Sequence, residues 1–124
     1  MKKLIIDIDM TLTKGKGPNG YEDAIVNIDL VAKLKEYKEQ GFTIVLNTSR
    51  NMNSYDSNIG LINKNTLPVI INWLNKNHIP YDEIYVGKPW CGHEGFYVDD
   101  KAIRPSEFVN KTYEEIVELL GNEK

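Results

Sequence analysis

The sequence has a single cysteine, Cys91, among 124 residues, so no disulfide forms within the chain. A lone thiol fits a reducing compartment, and a cytoplasmic location is the expectation. Long apolar runs are also missing, and none approaches the ~20 residues of a membrane-spanning helix. After Met1-Lys2-Lys3 only Leu4, Ile5 and Ile6 precede Asp7, too short a run for a secretion signal. Without one, the triplets Asn47-Thr48-Ser49 and Asn110-Lys111-Thr112 carry no weight as glycosylation sites. Excess charge of one sign is lacking too: the net charge is −3 and the basic residues are scattered. That argues against an electrostatic nucleic-acid binder. Neither repeat nor linker interrupts the chain, whose length suits one domain over residues 1–124.

What is present is an alternation of short apolar runs and amphipathic stretches. Lys2 to Ile8 reads as a buried strand, and the Gly- and Lys-rich stretch Thr13 to Tyr21 as a loop. A helix capped at Asn27 or Asp29 buries Leu30, Val31, Leu34 and Tyr37 and ends at Gly41. Phe42 to Leu46 is a second strand. The Asn-rich segment Asn51 to Asn65 shows no period and reads as a long loop. A helix after Thr66 buries Val69, Ile70, Trp73 and Leu74. Glu83 to Val86 and Gly95 to Val98 read as third and fourth strands. Thr112-Tyr113-Glu114-Glu115 is a capping box opening a last helix, with Ile116, Val117 and Leu120 inside. Strands alternating with helices predict an α/β fold, a parallel sheet with helices on both faces. No stretch is long enough to form a separate cap.

In such sheets ligands sit beyond the carboxyl ends of the strands. Asp7 and Asp9 follow the first strand, Thr48 the second, Lys88 the third, Asp99 and Asp100 the fourth. An EF-hand does not explain the acid pair, since Leu12 stands where Gly is needed and Pro18 where Glu is. A nucleotide-sugar transferase also uses Asp-x-Asp, but this chain is too short for that class. "GKGPNG" at Gly15–Gly20 matches a dinucleotide fingerprint in letters only, because Pro18-Asn19 makes a turn and no helix opens there. With Tyr21 in place of Lys it is no phosphate-binding Walker loop either, and it reads as a flap. Cys91 and His93 have no second pair with which to hold zinc.

Phosphoryl transfer accounts for the whole set. A carboxylate can act as nucleophile through an aspartyl phosphate, and Mg²⁺ held by oxygens lets two anions meet. Asp7 suits the nucleophile and a metal ligand, with Asp99 and Asp100 as further carboxylates. Lys88 supplies compact positive charge and Thr48 a neutral donor. Asp9 is placed to protonate the leaving oxygen and then to activate water. Arg50 fits a clamp on a substrate anion or an ion pair, and His93 a substrate contact or a loop hydrogen bond. Receiver domains also combine Asp, Thr and Lys, but they phosphorylate an Asp after the third strand, where Gly87-Lys88 stands here.

"DIDMT", "VLNTSR", "GKPW" and "YVDD", in that order, resemble the four motifs of the haloacid dehalogenase superfamily, with Asp9 favouring its phosphatases. The resemblance implies a three-layer Rossmann-like fold without a cap domain. It implies Asp7 as nucleophile, Asp9 as acid/base, Thr48 and Lys88 as phosphate binders, and Mg²⁺ on Asp7, Asp99 and the Asp9 carbonyl. It also implies Met10, Thr11 and Ser49 as further phosphate or substrate contacts. Met10 departs from the usual Gly or acid and is expected to act through its amide. "TSRNM" and "GKPWCGHEGFYVDDKAIRPSEF" resemble the small phosphatases encoded with bacterial capsule-polysaccharide genes. That likeness implies a saccharide or other small phosphate ester as substrate, without nucleic acid or membrane partners. An open site without a cap implies either a large substrate or a homo-oligomer whose neighbouring subunit covers the mouth, and a homo-oligomer is the expectation.

Overall fold

The computed structural model describes residues 2–122. The expected domain span therefore includes Met1, Glu123 and Lys124, which lie outside the described residues. Two units are distinguished along the chain, Met1–Trp90 and Cys91–Lys124.

The first unit is built on β1 (Lys3–Asp7), β4 (Thr43–Asn47) and β5 (Glu83–Tyr85), a parallel sheet in the order β1-β4-β5. β1 and β4 run in register from Lys3 opposite Thr43 to Asp7 opposite Asn47. Their carboxyl ends thus fall level. Between them come the hairpin β2 (Thr13–Gly17) and β3 (Gly20–Val26), then α1 (Ile28–Glu39). The Asn27 side chain accepts from the Leu30 N–H at the start of α1, and Leu30, Val31, Leu34 and Tyr37 are buried, as the apolar spacing anticipates.

The stretch Thr13 to Tyr21 is not a loop but most of that hairpin. Pro18-Asn19 makes its two-residue tip, and a side chain on Gly17 would collide with the Asp23 carbonyl. Period-two spacing of small residues and lysines in Thr13–Gly17 was the available signal, masked by the strand-poor composition. The segment Asn51 to Asn65 is also less irregular than expected. Its end forms α2 (Ile59–Leu61) and a wide turn, Ile62–Thr66, that runs into α3 (Leu67–Lys76). Ile70, Trp73 and Leu74 of α3 are buried, and the Trp73 indole donates to the Ala24 carbonyl of β3 at 2.9 Å. That bond fastens the hairpin to the core.

The second unit holds α4 (Pro105–Asn110) and α5 (Tyr113–Gly121). The capping box at Thr112 and Glu115 is formed, with bonds of 2.8 and 3.2 Å. Two expectations are corrected here. Gly95–Val98 takes no place in a sheet among the described residues, and Val117 is 50% exposed rather than inside. α4 had no apolar period to reveal it, only Pro105 after Arg104 and Glu107 reaching back to the Arg104 N–H at 2.8 Å. The whole is an α/β chain, and no helix among the described residues is long and apolar enough to cross a membrane.

Candidate active site

β1 gives way at Asp7 to a wide turn over Ile8–Leu12, closed by the Thr13 N–H donating to the Ile8 carbonyl. Ile8 and Leu12 are wholly buried and anchor it. Met10 lies inside the turn at φ 60°, ψ 19°, the left-handed region that a residue with a side chain seldom enters. Local bonds hold it there. The Met10 N–H donates to Thr13 Oγ1 at 3.2 Å, and Asn27 donates to the carbonyls of Thr11 and Leu12 at 3.0 and 2.8 Å. The amide expected to face a phosphate is therefore committed to Thr13, while the Met10 side chain is 69% exposed.

The turn sets the Asp7 carboxylate between two groups. Thr11 Oγ1 donates to its Oδ2 at 3.3 Å, and Lys88 Nζ stands 3.6 Å from its Oδ1. Burial pushes the Asp7 carboxyl above its ordinary range, the Lys88 ammonium draws it back, and the neighbouring Asp9 raises it further. A partly desolvated carboxylate thus faces an ammonium.

Lys88 is delivered by Gly87, whose φ of 87° lies in the left-handed region that favours glycine. A Cβ there would stand 2.7 Å from Ile59 Cδ1. The Lys88 N–H then donates to the Thr48 carbonyl at 3.1 Å, and the Thr48 N–H to the Tyr85 carbonyl at 3.0 Å. These bonds lock the ends of β4 and β5 together. The Thr48 side chain is fully buried, and its Oγ1 accepts from the Arg50 N–H at 3.0 Å, leaving its hydroxyl hydrogen to donate.

Arg50 is spent on Asp9. Its Nε lies 3.2 and 3.0 Å from Asp9 Oδ1 and Oδ2, and its Nη2 2.7 Å from Oδ1, a forked ion pair. The Arg50 side chain is 1% exposed and that of Asp9 31%. The ring of Tyr21, at the start of β3, covers the guanidinium with 4.0 Å between Cζ and the ring centroid. Nη1 is buried without a hydrogen-bond partner among the described residues. The geometry gives Arg50 the work of positioning Asp9, not of clamping substrate directly.

Asp7, Asp9, Thr11, Thr48, Arg50 and Lys88 are thus brought to one end of the first unit. Ser49 is half-buried beside them. His93, Asp99 and Asp100 belong to the second unit and are exposed, with Asp99 Oδ1 accepting from the Lys101 N–H at 2.8 Å. Sequence reasoning missed Thr13, Asn27 and Tyr21, whose roles depend on the unforeseen hairpin. Among the described residues no three His, Cys, Asp or Glu side chains form a group able to hold a metal. What the turn offers is oxygen only, the Asp7 carboxylate and the Asp9 main chain. Oxygen donors of this kind suit hard cations such as Mg²⁺, Ca²⁺ or Mn²⁺.

No family model matches the chain, and no curated protein matches it. Among solved structures, the crystal structure of an MCSG target from Vibrio cholerae is 52% identical, covers 100% of both chains and superposes with a TM-score of 0.96. A chain from the structure of a Pnkp1/Rnl/Hen1 complex is 23% identical over 90% of this chain and 35% of its own, with a TM-score of 0.50. The second likeness is one of fold alone.

Proposed function

The chain belongs to the same family as the Vibrio cholerae protein, and we propose that it is a Mg²⁺-dependent phosphomonoesterase working through an aspartyl phosphate. The observation that carries this reading is the meeting of Asp7, Thr48 and Lys88 where three parallel strands end, with Lys88 Nζ 3.6 Å from Asp7 Oδ1. In this reading an Asp7 oxygen attacks phosphorus and the ester oxygen leaves with a proton from Asp9. Water then attacks phosphorus, Asp9 takes its proton, and the carboxylate of Asp7 is restored. Asp9 works from Oδ2, where Arg50 makes one contact against two at Oδ1. Lys88 and the Thr48 hydroxyl meet the charge on the transferred group. Asp7 and the Asp9 carbonyl would hold Mg²⁺, which would supply positive charge for gathering phosphate oxygens.

The finer assignment follows the motifs: a cap-free, haloacid dehalogenase-like phosphatase of the cytoplasm. Its substrate would be a phosphorylated precursor of a capsular or other surface polysaccharide. The test is phosphate release from a panel of sugar phosphates, glycerol-type phosphates and an aryl phosphate, with and without Mg²⁺. Turnover should need Mg²⁺ and fall by at least ~10³-fold in Asp7→Asn. Undiminished turnover in that variant would end the proposal.

A further inference from the structure

Residues 91–122 carry apolar surface that stays exposed. Phe96 and Val98 are 78% and 87% exposed, and Val117 of α5 is 50% exposed. Val98, Ala102, Leu119 and Leu120 line an open groove of about 710 Å³, with Asp99 and Asp100 among its walls. A unit below ~40 residues does not sustain a core without a disulfide, a metal or a partner, and its one cysteine is free.

The first unit has the complementary deficit. Among the described residues β1 pairs with β4 on one side only, which leaves its other edge open. Ile5 on β1 is 67% exposed, whereas Val45, its register partner on the same face, is 5% exposed. An apolar, strand-length segment and an open parallel-sheet edge therefore occur in one sequence.

Chain length decides whose segment fits. To lie parallel to β1 on its free edge, Gly95–Val98 would follow β5 across two intervening strands. A parallel crossover takes about a dozen residues or more, usually including a helix. Only Val86–Glu94 lie between β5 and Gly95, and they hold no helix. Lys88 is moreover bonded to Thr48 at 3.1 Å, which leaves Pro89–Glu94 for the whole return. Those residues reach at most about 20 Å when fully stretched, and Gly92–Glu94 are in a turn. Nine residues without a helix fall short of such a crossover.

We propose that two copies exchange these segments. Each chain inserts Gly95–Val98 as a fourth parallel strand beside β1 of the other and lays the apolar side of α5 over Ile5. A parallel insertion sets Asp99 and Asp100 of one chain level with Asp7 of its partner, so each active site is shared. A short connection that cannot close within one chain is a recognised route to such swapped dimers. The exchange itself rests on the sheet edge and the chain length; its catalytic consequence rests on the phosphatase reading.

Sedimentation velocity and light scattering on the full chain should give a dimer. Val98→Pro, which removes a ladder N–H, should give a folded monomer by circular dichroism, while Ile28→Ser on exposed α1 should leave the dimer intact. Mixing the inactive variants Asp7→Asn and Asp99→Asn under conditions of subunit exchange should restore about a quarter of wild-type turnover, the share of sites with both residues intact. A wild-type monomer, a dimer indifferent to Val98→Pro, or an active dimer without complementation would each overturn the exchange. Wild-type protein inactive on every ester would instead remove the phosphatase reading, and sedimentation would still decide the exchange.

Discussion

At the scale of single residues the site is assembled against its own stability. Desolvation sets Asp7 above the ordinary carboxylate value of 3.8, and this outweighs the nearby ammonium of Lys88. A group whose folded pKa is raised binds its proton more tightly in the fold. Its ionised form therefore destabilises the metal-free protein above the folded pKa, and that cost vanishes as pH falls toward 3.8. Asp7→Asn should accordingly raise the urea midpoint of metal-free protein at neutral pH, with the difference closing in acid. A lower midpoint at neutral pH would show that attraction to Lys88 outweighs burial. Asp9 is tied down by geometry, its partner Arg50 being buried and fixed at 2.7 Å. Asp9→Asn should cost about 3 kcal/mol in urea unfolding, the lower end for a broken buried pair because Asp9 itself is part exposed. An unchanged midpoint would mean that the pair has no structural weight. The residue types at these positions could be read from the sequence. That Arg50 serves Asp9 could not, since the two are far apart in the chain and meet only when β1 and β4 align.

At the scale of elements, the level ends of the strands depend on a junction remote from the chemistry. Asp82, just before β5, accepts from Lys38 Nζ at 2.6 and 2.8 Å and from the Ile44 N–H at 2.8 Å, while its own N–H donates to the Ile44 carbonyl. The Lys38 and Ile44 bonds hold its carboxyl below the usual 3.8. The lowered pKa means that this stabilisation is present above 3.8 and is lost as pH falls through the folded value. Asp82→Ala should cost about 1 kcal/mol at pH 7, mostly through the backbone bond, since the lysine is exposed. The gap to wild type should close below pH 3.8, and a constant gap through that range would assign the effect to packing. Helices with strong apolar spacing, α1 and α3, were legible because burial and period agree in them. The β2–β3 hairpin was not, because Gly and Lys disfavour strands by composition and the pairing comes from the turn at Pro18-Asn19 and from Trp73.

At the scale of the whole molecule, the α/β class and the parallel sheet followed from the alternation of elements. The fourth strand did not appear where its apolar pattern placed it. Gly95–Val98 has the composition of a buried strand, but sequence pattern carries no information about which chain supplies its neighbour. The shortness of Val86–Glu94 was visible in the sequence and gains its meaning only from the strand order β1-β4-β5. The central claim concerns one bond, between Asp7 and phosphorus. It is tested most directly by acid-quenching the protein during turnover of a ³²P-labelled ester, reducing the acyl phosphate with borohydride and locating the product by mass spectrometry. The account predicts label that is lost in Asp7→Asn and homoserine at position 7. Turnover without labelled protein, or label on another residue, would contradict it.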